Sequence, residues 1–209
     1  MRIKSLKLSP DRAGRYWVTF EDDTNLGLYR QTVEDFGLYT GMDLSDAQLE
    51  ALQTAAGQMS AKMRAVRIVS ASSVSKKDLE QRLIRKGEDP DQAREAVQWM
   101  EDLHLVNDRN TAEQVVHSCI SKGYGLQRAK QALYEKRIPK KYWEEALQAY
   151  PDQNEKIESF LRSRLDADSD QKEIKKAIDA LIRRGHSYGT IRTVLNGLSF
   201  DTDDYYEEF

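Results

Sequence analysis

The sequence predicts a mainly α-helical protein: three tandem three-helix repeats in an elongated array, preceded by a small β-rich extension. Three observations predict it. Apolar residues recur at three- and four-residue steps from about residue 45 onward. A set of apolar columns recurs three times at near-constant spacing. The first forty residues lack that period and concentrate aromatic and β-branched residues in short runs instead.

In the extension, Arg15-Tyr16-Trp17-Val18-Thr19-Phe20 lies between Gly14 and Asp22-Asp23 and reads as a strand. Ile3 to Leu8 alternates more weakly, and Thr24 to Tyr29 follows a turn-like Asp22-Asp23 and closes a hairpin. Three short strands are not stable alone, so this unit is expected to pack against the helix that follows. That helix starts at Ser45, where Ser45 and Gln48 have capping-box spacing. Ser75 and Asp78 resemble a second such box.

The repeat is aligned on a pair of residues at three helix ends: Lys86-Gly87, Lys136-Arg137 and Arg184-Gly185. Counting from the second residue of each pair, position −8 is Leu79, Ala129 and Ala177; position −4 is Leu83, Leu133 and Leu181; position −3 is Ile84, Tyr134 and Ile182. Beyond the turn, +6 is Ala93, Trp143 and Ile191; +9 is Ala96, Ala146 and Val194; +10 is Val97, Leu147 and Leu195. Positions −8, −4 and −3 are taken as one buried face, and +6, +9 and +10 as another. Upstream, Val66 and Val69 match Val116 and Cys119; in the third copy Ile157, Phe160, Leu161 and Leu165 take that role, displaced by a few residues. The expected divisions are a β-rich extension over 1–44, helical repeats over 45–104, 105–151 and 152–200, and an acidic mobile tail over 201–209.

Composition narrows the function. The chain has 209 residues and net charge −3. One cysteine, Cys119, excludes an intramolecular disulfide and a multi-cysteine zinc site, and fits a cytoplasmic location. No apolar stretch approaches the roughly 18 residues of a membrane span. The three histidines, His104, His117 and His186, have no partner spacing that suggests a metal; His186, after Gly185 at a helix end, reads as a cap or a solvated group. Lys122-Gly123-Tyr124-Gly125 lacks the spacing of a phosphate-binding loop and reads as a turn between helices. Adjacent carboxylates such as Glu144-Glu145 read as solvated. Neither a catalytic site nor a cofactor is expected.

Charge is unevenly distributed: residues 1–57 carry −3, the helical body to residue 200 carries +5, and 201–209 carry −5. Cations gather at corresponding helix ends: Arg82, Arg85 and Lys86; Lys122, Arg128, Lys136, Arg137, Lys140 and Lys141; Arg183 and Arg184. Any one of them is explained equally well by the helix dipole. As a recurrent set they form a candidate basic track for phosphates or an acidic protein face. Tyr124 is a candidate for stacking on bases, against local packing in its turn. The acidic tail is expected to fold back on this track and compete for it.

The central segment carries a family resemblance. It runs from Leu105-Val106-Asn107-Asp108 through Ala112 to Ser121-Lys122-Gly123-Tyr124-Gly125, then Ala129, Leu133 and Lys136-Arg137-Ile138. It resembles RecX proteins, in which a Gly-Tyr-Leu-Asp-Asp stretch precedes an aromatic-Ala pair, a Lys-Gly-x-Gly motif and a helix ending Lys-Gly-Ile. Lys122-Gly123-Tyr124-Gly125 is intact. Only Asp108 survives of the first element, Thr111 replaces the aromatic, and Arg137 replaces the glycine. Phe36 to Leu44 and the helix after it also fit longer members. The resemblance implies a regulator of the RecA recombinase that binds along the RecA–single-stranded DNA filament and lowers its ATP hydrolysis and strand exchange; a monomer is expected. A stand-alone nucleic-acid-binding module and a helical scaffold for another protein remain the alternatives from the residues themselves.

Overall fold

The computed structural model describes residues 1–10, 14–148, 150–166 and 168–198; the acidic tail lies outside them. The described chain is mostly helical, with one three-stranded antiparallel sheet, and it divides into two compact units, Met1–Val106 and Asn107–Phe209.

In the first unit, β1 (Ile3–Leu8), β2 (Arg15–Phe20) and β3 (Asn25–Tyr29) form a meander in that order, with Leu6 opposite Val18 and Val18 opposite Leu26. Alternation sends Val18 and Phe20 inward and leaves Trp17 exposed. A short helix α1 (Arg30–Asp35) follows, then the 26-residue α2 (Asp46–Ala71). The capping box expected at its start is present: Ser45 Oγ accepts from the Gln48 N–H, and Gln48 Oε1 accepts from the Ser45 N–H.

At 1.5 Å per residue, α2 is long enough to serve two cores. Its first half places Leu52 and Ala56 with Ile3, Val18, Phe20, Leu28, Leu38 and Leu44 of the extension. Its second half places Ala61 and Ala65 against α3 (Lys76–Arg85) and α4 (Pro90–Asp102), beside Leu79, Leu83, Ala93, Ala96 and Met100. The sheet's apolar face is thus covered by a helix that belongs equally to the first repeat, which explains how so small a sheet persists. At the second box, Ser75 Oγ accepts from the Asp78 N–H.

The second unit repeats the three-helix order twice. First come α5 (Asp108–Ser121), α6 (Leu126–Glu135) and, after a 3-10 turn at Lys140–Tyr142, the five-residue α7 (Trp143–Leu147). Then come α8 (Asn154–Arg162), α9 (Gln171–Arg183) and α10 (Tyr188–Gly197). Ala112, Val116, Leu133 and Ile138 form one core; Ile157, Leu161, Ile174, Ile178, Leu181, Ile191 and Leu195 belong to the other. Because α7 is so short, Trp143, Ala146 and Leu147 are only half-buried, while their counterparts Ala93, Ile191 and Leu195 are buried. The Trp143 indole donates to the Ile138 carbonyl at 2.9 Å and pins this abbreviated helix.

The helix ends used to align the repeats share one backbone motif. Glu88, Ile138 and His186 each donate their N–H to the carbonyl five residues back (Leu83, Leu133 and Leu181), and the residue before each donates to the carbonyl three back. This double bond pattern is the Schellman motif, which needs a left-handed residue at its turn. Gly87 (φ +89°) and Gly185 (φ +85°) supply it without a steric cost, whereas Arg137 adopts φ +54° in the middle copy. An L-residue in this conformation costs about 1–2 kcal/mol, against about 0.5–1 kcal/mol of extra chain entropy lost by glycine. Arg137→Gly is therefore expected to stabilise the protein by up to about 1 kcal/mol, read as a higher urea midpoint. A lower midpoint would show that the Arg137 side chain supports the fold.

One expected face is corrected. Positions −8 and −4 are buried in all three copies, but −3 is not: Ile84 is 37% exposed, Tyr134 67% and Ile182 39%. Successive helical residues lie about 100° apart. Position −3 follows the fully buried −4 leucine around the helix and lies at the margin of the buried face.

Candidate functional site

The twelve predicted site residues fall into different settings. In the first unit, Arg82 is a structural cation: its Nη2 lies 2.9 Å from a carboxylate oxygen of buried Asp78, one turn earlier in α3. Arg85 and Lys86 lie exposed at the end of the same helix, and the Lys86 carbonyl accepts from Arg64 Nη1. Glu88, buried next to them, is paired with Arg64 Nε at 2.5 Å, so the local negative charge is neutralised within the fold. A carboxylate buried this way is costly unless paired, which gives Arg64 a clear role.

In the second unit, two turns meet. The Gly125 N–H donates to the Arg184 carbonyl at 2.9 Å, and the Gln127 N–H donates to the Gly185 carbonyl at 3.2 Å. His186 Nε2 donates to the Gly123 carbonyl at 3.0 Å. This brings together the turn that carries Lys122 and Tyr124, the start of α6 with Arg128, and the end of α9 with Arg183 and Arg184. Lys122 and Arg183 are exposed. Arg184 lays its guanidinium 4.6 Å from the centre of the Phe160 ring, a cation–π contact that holds it in place. Arg128 Nη1 bonds to Glu135 Oε1 at 3.1 Å along α6, and that hydrogen bond holds the Glu135 carboxyl below its ordinary range.

Tyr124 is half-buried, and its carbonyl accepts from the Tyr150 hydroxyl at 2.7 Å. Burial pushes the Tyr150 phenol up to about 12, so it stays a donor at any working pH. The remaining cations follow α6: Lys136 caps the helix, Arg137 sits exposed at the left-handed turn, and Lys140 and Lys141 are exposed in the 3-10 turn. Lys141 lies 4.9 Å from the Tyr142 ring centre.

Two expectations about chemistry-bearing residues are settled by burial. His186 is not a solvated cap: it is 7% exposed and bonded to Gly123, and burial depresses its pKa, which favours the neutral imidazole. Cys119 lies in the core as its repeat position suggests, and burial raises its thiol pKa, which makes it a poor nucleophile.

His186 belongs to a column that the sequence pattern did not reveal. At the residue after the left-handed turn, Glu88, Ile138 and His186 are all buried. An acid, an aliphatic and an imidazole share no hydropathy signal; only the common backbone motif marks them. A cleft of about 300 Å³ opens beside the joint, lined in part by Gln127, Tyr150, Asp152, Gln153, Ser187 and Thr190. None of the twelve predicted residues lines it. Among the described residues no group of three His, Cys, Asp or Glu side chains could hold a metal ion, and no helix is long and apolar enough to cross a membrane.

Known proteins account for this arrangement. A family model described as RecX, second three-helix domain, matches residues 107–147, the span of α5 to α7. The regulatory protein RecX of Clostridioides difficile is 26% identical over 97% of both chains. That of Oceanobacillus iheyensis is 27% identical over 83% of this chain and 66% of its own. A crystal structure of regulatory protein RecX, 20% identical, superposes with a TM-score of 0.62 over 93% of this chain and 98% of its own, which speaks for the fold. The crystal structure of RecX from Lactobacillus salivarius, 26% identical, gives 0.60 over 69% of this chain and 98% of its own. With the intact Lys122-Gly123-Tyr124-Gly125 turn at the joint and the helix order repeated on either side of it, the chain is similar to RecX proteins over nearly its whole length.

Proposed function

We propose that the protein is a cytoplasmic, monomeric regulator that binds the RecA–single-stranded DNA filament and lowers its ATP hydrolysis and strand exchange. The observation that carries this reading is likeness to proteins named regulatory protein RecX along nearly the whole chain. The surface chemistry supports it. Arg85, Lys86, Lys122, Arg137, Lys140, Lys141, Arg183 and Arg184 are exposed at turns and helix ends, where they favour phosphate or carboxylate partners without reading base sequence. Of the predicted cations, Arg82 and Arg128 are already paired within the chain, with Asp78 and Glu135.

Arg137 is the strongest single candidate for contact. It occupies a left-handed turn where the other two copies have glycine, so the fold gains nothing from an arginine backbone there. The deciding experiment is ATP hydrolysis by RecA from the same source on single-stranded DNA, titrated with this protein. Inhibition at well below one molecule per RecA is expected. No inhibition, with salt-sensitive binding to bare DNA, would instead favour a stand-alone nucleic-acid module. Arg137→Gly is expected to raise the half-inhibitory concentration by about threefold or more, the scale of one lost charged contact. Unchanged inhibition by that variant would remove Arg137 from the contact surface.

A further inference from the structure

Position −3 presents the same unusual feature three times. Ile84, Tyr134 and Ile182 are exposed, each directly after a leucine that is fully buried. A single exposed apolar side chain carries no meaning on a soluble protein. The same position exposed and apolar in three copies, 50 and 48 residues apart, is a pattern. Each knob also precedes a pair of cations: Arg85-Lys86, Lys136-Arg137 and Arg183-Arg184. The one acid inserted among them, Glu135, is held by Arg128 at 3.1 Å and by Gln131 at 3.2 Å. Lys86 and Arg183 form no ion pair among the described residues, so their charge is available.

We infer that these three helix ends are equivalent docking knobs for a repeating protein partner. Each would enter a shallow apolar pocket rimmed by carboxylates on one subunit of an assembly. The partner is protein rather than nucleic acid because two of the three knobs are isoleucine. An aliphatic side chain fills an apolar pocket well but offers nothing to stack on a base, where aromatic and guanidinium planes serve. The flanking cations require the opposite charge around the pocket. Repetition of the knob within one chain implies repetition of the pocket, with the second and third contacts strengthened by the first. The inference rests on the filament reading above, and on that reading the pocket lies on successive RecA protomers while the remaining cations face the DNA.

The test is the triple variant Ile84→Ser, Tyr134→Ser, Ile182→Ser, assayed on RecA filaments assembled on labelled single-stranded DNA and, in parallel, on the same DNA without RecA. All three sites are partly exposed, so circular dichroism is expected to match the parent, with the urea midpoint lowered modestly by the loss of half-covered apolar surface at Ile84 and Ile182. Filament affinity is expected to fall by about tenfold or more, with bare-DNA affinity unchanged. Filament affinity within about twofold of the parent would overturn the inference, and so would an equal loss on bare DNA, which would assign the knobs to nucleic acid. A parent protein that itself fails to bind filaments would overturn the filament reading, and the inference with it. The conservative set Ile84→Leu, Tyr134→Phe, Ile182→Leu keeps three apolar knobs and is expected to keep binding; its failure would also count against pocket filling. If the serine variant were unstable, Tyr134→Ser alone, at the most exposed site, is expected to lose about threefold in filament affinity. No loss would overturn the inference.

Discussion

Gly185→Ala is expected to destabilise the second unit by roughly 2–5 kcal/mol. Two costs coincide at this residue. Its φ of +85° disfavours any side chain by about 1–2 kcal/mol. A Cβ there would also stand 2.3 Å from the Arg128 backbone nitrogen and 2.6 Å from Arg128 Cβ, so relief requires moving the start of α6. Overpacking of this kind costs about 1–3 kcal/mol. Two further glycines separate the contributions. Gly125 has an ordinary φ of −79°, but its Cβ would lie 2.1 Å from the Gly185 carbonyl oxygen, so Gly125→Ala is expected to show the steric cost alone. Gly87 has φ +89° with nothing within 4 Å of an added Cβ, so Gly87→Ala is expected to show only the backbone cost. Urea unfolding followed by circular dichroism ranks the three. An order other than Gly185 as the most costly would mean that the two turns do not touch as described.

Leu181→Ala is expected to cost about 2–5 kcal/mol, and Ile182→Ala, which loses only partly buried surface, about 1 kcal/mol. The two residues are neighbours in the chain and similar in hydrophobicity. Leu181 is 1% exposed and packs in the core with Ile157, Leu161, Ile178, Ile191 and Leu195, so truncation leaves a cavity. Ile182 meets solvent. The same contrast is expected between Leu133 and Tyr134 in α6 and between Leu83 and Ile84 in α3. Matching losses at both members of a pair would place position −3 in the core, and the docking knobs would then have no surface to act from.

Much of the helical layout is legible in residue order because its causes are local. A serine followed three residues later by glutamine starts α2, and a left-handed glycine ends α3 and α9. Three- and four-residue periodicity places Leu79 with Leu83 and Ala177 with Leu181 whatever surrounds them. The cations of the candidate surface are also readable, as a recurrent set at helix ends. What they pair with is not. Arg128 forms an ion pair with Glu135 seven residues away, and Arg64 with Glu88 twenty-four residues away; neither pairing follows from composition.

The number and order of the helices in the repeats, the hairpin extension and the family resemblance are thus written in residue order, since they depend on caps, turns and periods spanning a few residues. Packing between distant segments sets which flank of each helix faces water, why Glu88 and His186 are buried, and why Gly125 and Gly185 must both be glycine. Those properties depend on a neighbour far away in the chain: His186 reaches the Gly123 carbonyl, and Gly125 reaches that of Arg184. A local pattern can make a leucine and the adjacent isoleucine equally apolar, but burial depends on which of them another helix covers.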